Sequence, residues 1–219
     1  MKLKQLFLVA MTVLGWLALA IQMFLVVRIV TDAGQPPING VINTLSYFTV
    51  LTNLLVATVV SASALRGHSD TFLTRPSTMS ASALYIFVVG LIYSLVLRDL
   101  WEPTGLQRAA DIALHDLMPI LYVLYWLLFV PKGTLRWSQP FYWLTYPLVY
   151  FTYSLLRGAL TGQYLYPFAD VNALGYATVL VNGAVLLGAF FVLGLIVVTI
   201  DHAIAWFRSR QGAGIAQAR

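Results

Sequence analysis

The 219-residue chain has no cysteine, which excludes disulfides, thiol nucleophiles and cysteine-ligated metal, and leaves the redox compartment undetermined. Charge is almost as scarce. Only 10% of residues are Asp, Glu, Lys or Arg against 60% hydrophobic ones, and a water-soluble domain of this size could not cover its surface with solvated groups at that ratio. Several catalytic signatures are also missing: there is no GxSxG elbow, no HExxH and no glycine-rich phosphate loop. No internal repeat or pair of matching broken helices marks transporter halves. No lysine lies within an apolar run, as a retinal Schiff base would need, and only His115 is placed in one where a haem ligand could sit. These absences predict a protein without cofactor.

What fills the chain is apolar sequence. Six runs are long enough to cross about 30 Å of hydrocarbon at a rise of 1.5 Å per residue. They predict an all-α membrane protein with six transmembrane helices at about 6–27, 46–65, 80–97, 111–130, 141–160 and 175–200. Together they form one domain over 1–207, and the Gly-, Ala- and Gln-rich residues 208–219 read as a disordered tail. The first run exceeds a signal-peptide core and no small-residue cleavage site closes it, so it is expected to remain as a helix. The second ends at the polar stretch Arg66, Gly67, His68, Ser69, Asp70, the third at Arg98 and Asp99, and the sixth at Asp201 and His202. Pro119 and Pro147 interrupt the fourth and fifth as kinks whose freed carbonyls neighbours should satisfy.

The basic residues are scattered at helix ends instead of forming a stripe, so the net charge of +5 points to membrane orientation and away from nucleic acid. With both termini cytoplasmic, that side carries Lys2, Lys4, Arg66, Arg75, Lys132, Arg136, Arg208, Arg210 and Arg219, and the other Arg28, Arg98, Arg108 and Arg157. Nine against four predicts this orientation. Asp32, Asp99, Glu102, Asp111, Asp116 and Asp170 all fall at or near the outer face, leaving the inner halves of the helices nearly apolar.

Polar groups inside hydrocarbon cost several kcal/mol unless paired, so each is a candidate for function. In the segment YFTVLTN, Thr49 and Asn53 stand at i and i+4 on one helix face. The structural alternative is that Thr49 bonds its own helix carbonyl and Asn53 joins two helices. Asp111 and His115 are likewise i and i+4, so the carboxylate could fix the tautomer of the imidazole and leave its other nitrogen as a base. The structural alternative there is a helix-start histidine wetted by the interface. Asp116 points about 100° away and is a poorer orienter. Asp111, His115 and Asp116 lie within six residues of one helix and cannot surround a metal ion by themselves, so no metal is expected. In the six-helix topology Thr49 and His115 share one leaflet, with Arg98 and Arg157 at the same level and Tyr164, Tyr166 and Phe168 nearby. A hydroxyl, an oriented imidazole and an arginine that holds a carboxylate or steadies an oxyanion would make a minimal hydrolytic site. The bland role for the two arginines is snorkelling to headgroups.

The segments YFTVLTNLLV, ALHDLMPILYVL and GQYLYPFADVNALGYATVLVNG resemble the family of androgen-induced and androgen-dependent TFPI-regulating membrane proteins, including its bacterial six-pass members. The resemblance runs from the second helix to the sixth, and the YPF loop is its most specific part. It implies an intramembrane threonine hydrolase of fatty acid esters of hydroxy fatty acids, in a bacterial inner membrane. The nucleophile falls on Thr49, with Thr52 as the alternative, and the base on His115. The substrate would be a membrane lipid or fatty acid ester. The competing function is a non-enzymatic lipid-binding scaffold or small transporter, in which Arg98, Asp111, His115 and Arg157 would line a polar path. Clustering of the ionisable groups at one end of the helices argues against such a conduit.

Overall fold

The computed structural model describes residues 2–66 and 71–217. Gly67, His68, Ser69 and Asp70 of the polar stretch, and Arg219 of the charge count, lie outside the described residues. Among those described there is no strand. The helices are α1 (Lys2–Asp32), α2 (Pro37–Leu45), α3 (Phe48–Arg66), α4 (Pro76–Ile92), α5 (Gly105–Ile112), α6 (Met118–Phe129), α7 (Gln139–Trp143), α8 (Thr145–Thr161) and α9 (Val171–Gln217). A π turn at Tyr93–Leu97 and a short 3-10 segment at Arg98–Leu100 prolong α4, and a second π turn at Ala113–Leu117 joins α5 to α6. The chain sorts into two compact units, Met1–Phe129 and Val130–Arg219.

Five helical runs are long and apolar enough to cross a membrane: Lys2–Asp32, Phe48–Leu65, Pro76–Leu100, Gly105–Phe129 and Val171–Gln211. The protein is therefore an integral membrane protein. The fifth predicted run, 141–160, differs in having its helix divided between α7 and α8. The 17 residues of α8 rise about 26 Å, slightly less than the hydrocarbon thickness. Leu144 between α7 and α8 keeps helical φ and ψ (−64° and −19°), and the ladder is interrupted where Pro147 has no N–H to offer the Trp143 carbonyl. The segment between the first two predicted runs is not mere loop: Pro37, with its fixed φ, starts α2.

In the first unit α1 packs on α3 and α6, and α4 packs on α3 and α6. Small residues allow this close approach, which substitutes for a hydrophobic driving force in lipid. A Cβ added at Gly15 would meet Met118 Cε at 3.0 Å and the Ala57 Cβ at 3.3 Å. Ala18, Leu19, Val50, Ala57, Ala113 and Leu114 form one buried cluster. Trp126 Nε1 donates to Ser80 Oγ over 2.8 Å, and the buried Tyr122 hydroxyl donates to the Met79 carbonyl over 3.3 Å. These contacts place uncharged polar side chains inside the spans. They hold no ionisable pair, but they bury hydroxyls and an indole that pair across helices.

In the second unit Gly175 takes φ 74° and ψ 158°, which a side chain would strain, and this interrupts α9 near its start. The backbone then remains helical past Asp201 and His202 and through Arg208 to Gln217. A Cβ at Gly158 would stand 2.1 Å from Tyr164 Cε1. Gly158→Ala is accordingly expected to destabilise this unit by about 1–3 kcal/mol, read as a lower thermal midpoint in detergent. The loss should vanish in a Tyr164→Ala background.

Asp201 is fully buried, and its Oδ2 accepts the backbone N–H groups of Gly133 (2.8 Å) and Leu135 (3.2 Å). That ties the tract after α6 to α9. Lys132, in the same tract, donates to the Val130 carbonyl over 2.9 Å. Burial pushes its ammonium down to about 8, against the opposing pull of Asp201. The unfolded chain thus holds more protons than the folded one between about pH 8 and the ordinary lysine value, so stability rises with pH across that window. The thermal midpoint is expected to climb between pH 8 and 10 in the wild type, and Lys132→Met should flatten the climb.

Candidate functional site

The two π turns bring the polar residues of the first unit together. In the turn at 113–117 the N–H of Met118 bonds the carbonyl of Ala113, one residue further back than in an α-helix. The next residue, Pro119, has no N–H, so the carbonyl of Leu114 is left without a helical donor. Asn53 supplies one: its Nδ2 donates to Leu114 O over 3.1 Å and to Thr49 O over 2.9 Å. Asn53 is fully buried, and its Oδ1 has no hydrogen-bond partner. The helix-joining role expected for Asn53 is therefore present, and it repairs the Pro119 break. Gly90 allows the helix carrying the other π turn to pass close by, since a Cβ there would meet His115 O and Pro119 Cβ, both at 3.1 Å.

At this junction His115 Nδ1 bonds the Asp111 carbonyl over 3.1 Å, and Asp111 Oδ1 stands at ion-pair distance, 3.0 Å away, without a hydrogen bond of its own among the described residues. Both neighbours can only accept, so the proton belongs on Nδ1 and the lone pair on Nε2. No hydrogen bond to Nε2 exists among the described residues. The two side chains are 16% and 5% exposed, so this imidazole is largely enclosed and not freely wetted. Asp111 Oδ2 accepts the hydroxyl of Tyr93. The Tyr93 ring lies parallel to that of His115, with centroids 3.9 Å apart and planes 15° apart.

Thr49 stands in the first turn of α3, half-buried. Thr44, Ser46, Thr58, Ser61 and Ser63 each donate their hydroxyl to the carbonyl four residues back. The Thr49 hydroxyl makes no such bond, and among the described residues it makes no hydrogen bond to any group, His115 included. Thr52 is fully buried. Of the two threonines, Thr49 is the accessible and uncommitted one. Its backbone and that of Leu114, the residue before His115, share the amide of Asn53.

Arg98 is engaged at this end of the unit. It donates to Asp116 Oδ1 and to Ser94 Oγ (3.2 Å), and its guanidinium carbon lies 4.8 Å from the centre of the Tyr93 ring. Asp116 thus pairs with arginine and does not orient His115. Arg157, Tyr164 and Tyr166 belong to the second unit. There Arg157 Nη1 donates to the Gln163 carbonyl over 3.1 Å, Tyr164 covers Gly158, and Tyr166 stacks on Phe168 at 5.2 Å. Among the described residues no group of three or more His, Cys, Asp and Glu is arranged to hold a metal ion.

Tyr93 and Ser94 escaped the sequence because neither is ionised near neutral pH, and the run that contains them reads as plain helix. Their only local sign is the proximity of Arg98, one turn on. No family model, curated protein or solved structure matches the chain.

Proposed function

We propose that the protein is an intramembrane hydrolase of lipid esters, with Thr49 as nucleophile, His115 as general base and Asp111 as the group that orients the base. The observation that carries this reading is a pair of uncommitted groups. A half-buried threonine hydroxyl is released from its own helix, and an imidazole has one nitrogen held by the Asp111 carbonyl, with the Asp111 carboxylate at ion-pair distance, and the other free. Asn53 ties their helices together at that level. The sequence resemblance supports a fatty acid ester of a hydroxy fatty acid as the substrate class. Counting the divided 141–160 segment as a sixth crossing, and following the lysine and arginine balance, both termini lie in the cytoplasm and the site faces the outer leaflet.

The chemistry balances with these residues. Thr49 Oγ attacks the ester carbonyl as its proton passes to His115 Nε2, and a tetrahedral oxyanion forms. Collapse breaks the bond to the alkoxide oxygen, which takes the proton back from Nε2 and leaves as the alcohol. Water then attacks the acyl–threonine, giving its proton to Nε2. Collapse returns that proton to Thr49 Oγ and releases the fatty acid. Asp111 never needs to accept a proton, since it holds the imidazole upright and stabilises the imidazolium.

The test is ester turnover by the full chain in lipid nanodiscs, with a long-chain p-nitrophenyl ester as substrate. Thr49→Ala and His115→Ala should each fall to background, while Thr52→Ala retains turnover. Wild-type rates in both of the first two variants would overturn the assignment.

A further inference from the structure

We infer that Tyr93 is a positioning residue of this site, locking the Asp111–His115 pair so that Nε2 is the nitrogen presented for reaction. This rests on the proposed function only for its catalytic consequence. The geometry stands apart from it.

Asp111 has two carboxylate oxygens, and a carboxylate with one partner can swing to share both oxygens with it. Tyr93 removes that freedom. Its hydroxyl occupies Oδ2, so Oδ1 is the oxygen kept facing His115 Nδ1 at 3.0 Å, beside the Asp111 carbonyl that accepts the Nδ1 proton. The Tyr93 ring also covers one face of the imidazole at 3.9 Å, which resists rotation of the ring about its bond to Cβ. One side chain therefore fixes both members of the pair, the carboxylate by its hydroxyl and the imidazole by its face. A phenol that donates a hydrogen bond does so without cancelling the charge of Asp111, as a lysine or arginine in its place would.

Tyr93 is itself held. It is only 4% exposed, and Arg98 rests 4.8 Å from its ring centre while bound to Asp116 and Ser94. The contacts run from Asp116 through Arg98 to Tyr93 and from there to both Asp111 and His115. Tyr93 opens one π turn, and His115 lies within the other. Single π turns recur where a helix must aim side chains at a functional site. A tyrosine kept only for packing would use its ring and present its hydroxyl to a backbone carbonyl or to the interface. Here the hydroxyl is spent on the carboxylate that orients the histidine.

The experiment is nitrogen-15 NMR of histidine-labelled full-length protein in nanodiscs, with His68→Gln and His202→Gln made so that the signal belongs to His115. It is paired with kcat and KM for the p-nitrophenyl ester. The parent should display the Nδ1–H tautomer. Tyr93→Phe keeps the ring and loses the donor, so Oδ1 is no longer kept beside Nδ1 and only the Asp111 carbonyl still holds that proton. The Nδ1–H share should drop to a mixed population, and kcat should fall about tenfold with KM unchanged, as when an outer-shell partner is removed. Asp111→Asn, whose amide can donate to Nδ1 in competition with the residue 111 carbonyl, should lower the Nδ1–H share furthest and serves as the reference for a wrongly held imidazole. A parent-like spectrum in Tyr93→Phe overturns the inference whatever the rates do. A mixed spectrum in Tyr93→Phe from a protein whose parent turns over no ester upholds the positioning role and overturns the hydrolase reading. The two failures are thus separable.

Discussion

His115→Ala is expected to lower ester turnover by about 10²–10⁴-fold while leaving the fold intact. The imidazole contributes general-base and general-acid catalysis at Nε2, and both half-reactions pass protons through that atom. Its structural contribution is modest: a stack on Tyr93 and one bond from Nδ1 to the Asp111 carbonyl. His115→Gln isolates the chemistry more sharply. Its amide can still donate toward Asp111, but it has no nitrogen lone pair to take a proton. Turnover in His115→Gln should match His115→Ala, with a thermal midpoint closer to wild type. Measuring turnover and midpoint together separates a lost base from a damaged fold.

Asn53→Val is expected to cost about 1–3 kcal/mol, because it leaves the Leu114 carbonyl without a donor in a buried, water-poor junction. The remedy identifies the cause. Pro119→Ala restores a backbone N–H to the turn, so the double variant Asn53→Val/Pro119→Ala should regain most of the loss. Asn53 and Pro119 do not need to touch for this coupling to appear, since they act on the same carbonyl. Thermal midpoints of the four proteins in detergent check the cycle. Additive losses would contradict the assignment of Asn53 as the donor that mends the proline break.

Much of this arrangement could be read from residue order. The i and i+4 spacing of Asp111 and His115 placed the carboxylate beside one ring nitrogen, and the same spacing put Thr49 and Asn53 on one face. Five of the six apolar runs lie in helices long and apolar enough to cross a membrane, because length and composition decide whether a helix can exist in hydrocarbon. What sequence could not supply depends on other helices. A π turn at 113–117 costs a hydrogen bond at Leu114, and only a donor from α3 makes it tolerable, so its position follows from Asn53 lying sixty-one residues away in sequence. The stack of Tyr93 on His115 likewise joins two helices whose local patterns are independent. At the 141–160 run the interruption falls at Leu144, three residues before Pro147, whose missing N–H was legible in the sequence. Arg98 and Arg157, for which the sequence leaves a substrate-holding and a snorkelling role open, have partners nearby, Asp116 for Arg98 and the Gln163 carbonyl for Arg157.

The most direct measurement is the site of covalent modification. Wild-type protein in nanodiscs is treated with a long-chain fluorophosphonate, digested, and its adduct mapped by mass spectrometry. An adduct on Thr49 is expected, absent from the His115→Ala protein because the hydroxyl is not activated there. An adduct on Thr52 or another hydroxyl, or a Thr49 adduct that forms equally well without His115, would contradict the assignment of this pair.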